Sequence, residues 1–347
     1  MLGIVPWAVD GRHDASGRWW DGSVGVPIVL DCDTGTDDAV AILCAVLHPD
    51  LELLGVCTVW GNHDVRNTTD NTLRVLDLVG AGEVPVVPGL NGPFRGRATP
   101  LPSGRADLPP TLDLPEPTSR PSAAHAPDWL ADLVLAHPEP VTVVATGPLS
   151  NLAAAVEARP DLVDRVGQVV CLAGTHEEPG VLPLVERNVW CDPEAAAFVL
   201  QAGFSNLTLV GMDATFSAPL DAADVAVLRG LGTPAAALAA RLVAERIAWY
   251  ADDEAMGPLG AAPLHDPLAL AQVLDPAMFA TRPAAVVVDL DDGPTYGRTI
   301  VDLAPRAPAL HFALRADHDR YLSWLCEVLG KVQGEVLGGV LGGSSTR

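Results

Sequence analysis

The chain has 347 residues, 49% of them hydrophobic and 19% charged, and carries a formal net charge of −23. That length and apolar content support one large α/β domain or two ordinary ones around a sizeable core, and argue against wholesale disorder. The acidic balance, with no basic stripe to offset it, argues against nucleic-acid and anionic-membrane partners, and favours a small neutral substrate or a cation held by carboxylates.

Residues 1–26 are rich in Gly, Asp and Trp, have no period, and are expected to form an extension ahead of the fold, with Trp19 and Trp20 packed on its surface. They lack the basic start and apolar stretch of a signal peptide, and no apolar run is long and clean enough to span a bilayer, so a cytoplasmic protein is the default expectation. A domain follows over residues 27–333. Pro27 to Asp31 is a short apolar strand ending in an acid, residues 37–47 have helical spacing stopped by His48-Pro49, and Leu53 to Trp60 is a second buried strand. A helix over about 63–79 and a strand from Val84 to Val87 precede a Pro-, Gly- and Arg-dense loop over 90–125. Alternation resumes with helix 127–137, strand 141–145, helix 149–158, strand 168–173, helix 192–202 and strand 207–211. Helices are expected at 219–230, 234–250, from near Asp266 and at 316–330, late strands at 284–290 and 299–303, and a frayed Gly- and Ser-rich tail over 334–347. This order predicts an α/β fold with a mainly parallel, Rossmann-like sheet flanked by helices, whose ligand sits at the carboxyl ends of the strands.

The polar residues just after the strands are therefore the candidates. Asp31-Cys32-Asp33-Thr34-Gly35-Thr36-Asp37-Asp38 places four carboxylates within eight positions. Packed so closely they raise one another's pKa unless a cation or hydrogen bonds compensate, and hard oxygen ligands favour Ca²⁺ or Mg²⁺ over zinc. Asp37 and Asp38 also suit a helix N-terminus. Asn62 follows the second strand, and Thr146 follows the strand ending at Ala145. Glu186 and Asn188 precede Asp192-Pro193, a helix start with Pro in the first turn; that start explains Asp192 as a cap but not Glu186 or Asn188. Asp266 is either the N-cap of the helix at Pro267 or a distant carboxylate for the Asp31 cluster, and His265 beside it can move protons near neutral pH. Trp190, Arg246, Trp249 and Tyr250 are candidates to stack on a base or to pack the core. The six cysteines form no C-x-x-C pair and lie mostly in apolar runs, as buried reduced thiols do.

Together, D-x-D-x-G-x-D-D at Asp31 to Asp38, T-x-x-G-N at Thr58 to Asn62, A-T-G-P-L-S-N at Ala145 to Asn151, E-x-N-x-x-x-D-P-E-A-A at Glu186 to Ala196 and H-D-P at His265 to Pro267 resemble the inosine–uridine nucleoside hydrolases. The matches run in order over roughly residues 27–303. The resemblance implies the nucleoside hydrolase fold, hydrolysis of the N-glycosidic bond of ribonucleosides, and a Ca²⁺ held by Asp33, Asp38, the Thr146 carbonyl and Asp266. It implies Asp33 as general base, His265 as proton donor near the leaving base, and Asp37, Asn62, Glu186, Asn188 and Asp266 on the ribose. Asp31 would orient the loop, and the protein would form a dimer or tetramer.

Three departures flank the implied sugar and base pockets. Ser103 to Asp107 stands where family members often have H-G-x-x-G, Ala173 replaces a methionine, and Arg187 replaces the aromatic of E-F-N. They admit a modified riboside as substrate, or a riboside-binding protein without turnover. A strand followed by D-x-D also opens the haloacid-dehalogenase phosphatases. Those want Thr or Val two places after the second Asp, where Gly35 stands here, and would form an aspartyl-phosphate at Asp31 with Mg²⁺.

Overall fold

The structure is a computed structural model and describes residues 25–96, 109–182 and 184–331. The expected N-terminal extension up to residue 24, the Ser103 to Asp107 stretch and the 334–347 tail lie outside the described residues; Val26 already belongs to the first strand.

In chain order the elements begin with β1 (Val26–Cys32), α1 (Thr36–Leu47), β2 (Leu51–Thr58), α2 (Val65–Leu78), β3 (Val86–Pro88), α3 (Ala126–Ala136), β4 (Thr142–Ala145), α4 (Ser150–Ala158), β5 (Gln168–Leu172) and α5 (Arg187–Cys191). They continue with α6 (Pro193–Gln201), β6 (Leu207–Val210), α7 (Met212–Phe216), β7 (Leu220–Asp221), α8 (Ala222–Gly230), α9 (Pro234–Trp249), β8 (Ala261–Ala262), α10 (His265–Leu274), β9 (Phe279–Val288), β10 (Thr299–Asp302), β11 (Leu310–Ala316) and α11 (His318–Leu329). The main sheet runs β10-β9-β11-β6-β5-β4-β1-β2-β3, and β7 and β8 form a separate small pair. From β3 to β11 every neighbouring pair is parallel; β9 alone runs the other way, antiparallel to both β11 and the edge strand β10. The mainly parallel α/β sheet read from the strand–helix alternation is the fold observed.

Alternation along β1 shows why the sheet is buried on both faces. Ile28, Leu30 and Cys32 enter one core with residues of α1, α2, α8, α9, α10 and α11. Val29 enters the other with residues of α3, α4 and α6. Side chains of period two thus feed two helical layers from one strand. Helix α1 packs against α2, α9, α10 and α11, and every residue but Val46 is buried. A helix apolar on nearly all sides belongs inside, and its two acids sit in the first turn because that end opens onto the site.

After β1 the chain builds β2 and β3 on one side, then crosses back to lay β4 on the other. The carboxyl ends of β1 and β4 therefore flank the place where strand order reverses, the usual crevice for a ligand in an open α/β sheet. Their register pairs Asp31 with Ala145, and the Thr146 N–H donates to the Asp31 carbonyl at 2.8 Å.

Five elements were not anticipated. α5 and α7 have five residues each and β7 and β8 two, too few to display a period. β11 falls inside a stretch left unassigned between the expected late strand and closing helix, after the Pro-punctuated run 304–309. All six cysteines are free, five of them buried. Among the described residues no helix is long and apolar enough to cross a membrane.

Candidate active site

The turn between β1 and α1 carries the acids inward. Asp31, Asp33, Asp37 and Asp38 are all buried. Asp38 folds back on its own helix start, accepting the Gly35 N–H at 2.9 Å through Oδ2. Its Oδ1 accepts the Thr146 hydroxyl at 2.8 Å, which ties α1 to the end of β4. Asp33 accepts the Asn62 backbone N–H at 2.6 Å, and the Asn62 side chain donates to the Asp33 carbonyl at 3.2 Å. That approach needs Gly61, since a Cβ there would collide with the Asp33 carboxylate. Asp31 faces away, accepting from the Asn151 amide at 2.7 Å while its other oxygen is buried without a partner.

Asp266 arrives from the far end of the sequence. It lies in the first turn of α10, after the N-cap Leu264, so it is not the cap that His-Asp-Pro suggested as one reading. Oxygens of Asp37, Asp38 and Asp266 lie within 4.8 Å of one another, and all three residues are buried. Asp33 adjoins this triangle closely enough for its charge to be felt at Asp266 and for Asp38 and Asp37 to act on it in turn. The Thr146 carbonyl accepts the Asn188 amide at 2.7 Å.

Crowding shows in the titration of these acids. Burial, then the charge of Asp38, raises the Asp33 carboxyl well above the usual range. Burial, then Asp37, Asp38 and Asp33, does the same to Asp266. Asp38 is pushed up to about 6 by burial and Asp37, and Asp31 up to about 7 by burial, against the Asn151 hydrogen bond. Buried carboxylate oxygens gathered this closely are a candidate site for a hard cation.

One counter-charge comes from the protein. Arg246 on α9 is buried, lies 3.0 Å from Asp37 and donates to the Pro263 carbonyl at 2.9 Å and the Thr36 hydroxyl at 3.1 Å. It is the ion-pair partner of Asp37. Replacing Arg246 by leucine leaves that carboxylate buried and unpaired, so a loss of about 3–5 kcal/mol in denaturant unfolding is expected in the cation-free protein. Lysine should recover only part of it, because a point charge cannot hold three acceptors in one plane.

His265 forms another wall. Its Nδ1 is 2.9 Å from the Thr215 hydroxyl on α7 and its Nε2 is 3.1 Å from the Tyr250 hydroxyl. Phe216 packs against both rings, with centroids 6.0 Å from His265 and 6.3 Å from Tyr250. Tyr250, a candidate for stacking on a base, is a partner of the histidine. Trp249 is exposed, and Trp190 meets Tyr296 edge-on.

Glu186 has a role that the sequence did not reveal. It caps α5, accepting the backbone N–H groups of Asn188 at 2.7 Å and Val189 at 3.1 Å, and also that of Gly174 at 3.3 Å. The Asn188 amide donates to the carbonyls of Thr146 and Leu172, at 2.7 and 3.0 Å. Asp192 caps α6 as expected and also accepts from Ser150. Thr215, the pairing of Arg246 with Asp37 and the Glu186 cap were missed because each depends on a helix too short to show a period or on a partner far away in sequence. Asn151 was visible within A-T-G-P-L-S-N, without its hold on Asp31.

Comparison with known proteins identifies the family. A family model described as inosine-uridine preferring nucleoside hydrolase matches residues 28–323. The pyrimidine-specific ribonucleoside hydrolase RihA of Photobacterium profundum is 34% identical over 279 residues, covering 80% of this chain and 88% of that protein. The protein of the same name from Citrobacter koseri is 33% identical, over 88% of this chain and 98% of its own length. Among solved structures, a plant nucleoside hydrolase superposes with a TM-score of 0.81 at 27% identity, covering 88% of this chain and 99% of its own. A purine-preferring ribonucleoside hydrolase from Gardnerella vaginalis gives 0.79 at 29%, covering 88% and 98%. The chain belongs to the inosine–uridine preferring nucleoside hydrolase family and is an N-glycosidase.

Proposed function

We propose that this enzyme hydrolyses the N-glycosidic bond of ribonucleosides to ribose and free base, with one Ca²⁺ held by Asp33, Asp38, Asp266 and the Thr146 carbonyl. The observation that carries the reading is the meeting of Asp37, Asp38 and Asp266 beside Asp33, from opposite ends of the chain, at the reversal of strand order. An all-oxygen set of buried carboxylates plus a carbonyl suits Ca²⁺. When bound, the ion supplies the charge that keeps these carboxylates ionised and the Lewis acidity that makes a neighbouring water easier to deprotonate.

Asp33 takes the proton of the attacking water. Its Oδ2 is fixed by the Asn62 N–H, which orients the carboxylate and leaves Oδ1 for the proton. The water oxygen bonds to C1′ as the bond from C1′ to the base nitrogen breaks and its electron pair leaves with the base. Positive charge then builds on the sugar, where the carboxylates of Asp37 and Asp266 stabilise it. Asp37, Asn62, Glu186, Asn188 and Asp266 hold the ribose hydroxyls. His265, braced by Thr215 and Tyr250, delivers a proton to the departing base. The phosphatase reading fails on geometry as well as on family: Asp31, its required nucleophile, is buried and turned toward Asn151.

The test is to incubate the protein with Ca²⁺ and a panel of pyrimidine and purine ribonucleosides, measuring free base and reducing sugar together. Equal release of both supports the reading; binding of ribonucleosides without release would show a riboside-binding protein, and no binding at all would sink the proposal. His265→Ala should lower kcat by about 10²-fold, more for bases that leave poorly as anions. An equal effect on every base would remove His265 from the proton path. The same reading expects a dimer or tetramer, measurable by light scattering.

A further inference from the structure

Helix α2 turns polar residues inward, where a helix packed on a sheet usually turns apolar ones. Thr68, Thr69, Asn71 and Thr72 are all buried. Each of them binds the end of a strand. The Thr69 hydroxyl lies 2.7 Å from that of Thr58, and Thr68 donates to the Val59 carbonyl at 3.0 Å. These two hold the end of β2, from which Asn62 reaches Asp33. The other two hold the turn after β1. The Thr72 hydroxyl lies 2.6 Å from that of Thr34, and the Asn71 amide donates to the Thr34 carbonyl at 3.0 Å. Asp33, next in the chain to Thr34, is therefore fixed twice by one helix, through Asn62 and through its own backbone.

Asn71 is the most connected of the four. Its Nδ2 also donates to the Pro110 carbonyl at 3.3 Å, and its Oδ1 accepts the Leu112 N–H at 2.9 Å. One buried amide thus joins the acid turn to the returning limb of the long loop between β3 and α3. The helix itself has no use for asparagine there, since leucine forms helices better and suits a core. A buried amide is tolerated only with its donors and acceptor paired, and here the turn and the loop pair them. On the reading given above, Asp33 is both general base and cation ligand, and such a group works only as well as its supports aim it. We propose that Asn71 is a positioning residue: by fixing the Thr34 peptide it holds the Asp33 carboxylate in the orientation that the cation and the attacking water require.

The experiment sets Asn71→Leu and Thr72→Val beside two controls on the same helix. Leu76→Ala removes apolar packing only, and Arg74→Met releases the Leu114 carbonyl of the returning limb while leaving Thr34 held. Three quantities are read: calcium affinity by calorimetry on chelator-treated protein, kcat and KM on a ribonucleoside, and amide exchange of residues 33–38 without calcium. Asn71→Leu should weaken calcium binding and lower kcat by about 10- to 100-fold each, with a smaller change in KM. Thr72→Val should shift both by about fivefold. Exchange in the turn should quicken in these two variants alone. Leu76→Ala and Arg74→Met should keep the calcium affinity and kcat of the wild type, although Leu76→Ala lowers Tm. Wild-type values in a folded Asn71→Leu, or equal losses in Leu76→Ala, would overturn the proposal. If Asn71→Leu does not fold, Thr72→Val decides by the same comparison. A wild type that releases no base refutes the reaction instead, and one that takes up no calcium refutes the ligand set; exchange in the turn tests Asn71 in either case.

Discussion

Replacing Asp33 by asparagine is expected to lower kcat by about 10³-fold or more while leaving the protein at least as stable as the wild type. The two halves of that result have one cause. The Asp33 carboxyl is raised by burial and by the charge of Asp38, so in the cation-free protein its ionised form is disfavoured by the fold. Asparagine keeps the shape and the acceptor for the Asn62 N–H, and it removes the buried charge. The fold therefore loses a source of repulsion, and, on the proposed mechanism, the reaction loses the group that takes the proton from water. Enzymes hold such unfavourable groups where chemistry needs them. Thermal unfolding and single-turnover base release on the same preparation check both halves. Retained turnover would show that the proton leaves by another route.

The second large effect concerns the cation and pH. Asp31 and Asp38 titrate at about 7 and about 6 in the folded chain, against 3.8 as their unperturbed value. The folded state therefore holds these protons more tightly than the unfolded one. Their contribution favours folding when both are protonated, below about pH 4, and is lost as pH rises through 6 and then 7. For one such carboxyl the loss is on the order of a few kcal/mol. Chelator-treated protein should thus show a Tm that falls between about pH 5 and about pH 8. Saturating Ca²⁺ should raise Tm most at the upper end, because protons compete for the same oxygens at the lower. A calcium effect of equal size at both ends, or a chelated Tm that climbs with pH, would contradict the picture of mutually repelling acids.

The division between what was legible in sequence and what was not follows distance along the chain. The parallel sheet was readable because buried strands such as Val29–Leu30 and Val143–Val144 are short apolar runs separated by helices of recognisable period. The acid cluster was readable because Asp31 to Asp38 is local; Asp266 and His265 stood out at the start of a late helix, and the resemblance gave them their implied roles. Nothing local marks Arg246 as the counter-ion of Asp37, since the two are joined only when α9 packs on α1. The brace of Thr215 and Tyr250 on His265 has the same character, linking α7, α9 and α10. Glu186 misled for a different reason: the helix it caps is five residues long, too short for periodicity to suggest a cap. Arg187 stood out as a departure from E-F-N, but its buried, unpartnered Nε–H is visible only in the fold.

Calorimetric titration of the chelator-treated protein with Ca²⁺, for the wild type beside Asp38→Asn and Asp266→Asn, bears most directly on these four acids. One ion per chain in the wild type, with binding lost or weakened by orders of magnitude in both variants, is the expected outcome. A wild type that takes up no calcium, or variants that bind it as tightly as the wild type, would mean that carboxylates 200 residues apart in sequence meet for some purpose other than holding a cation.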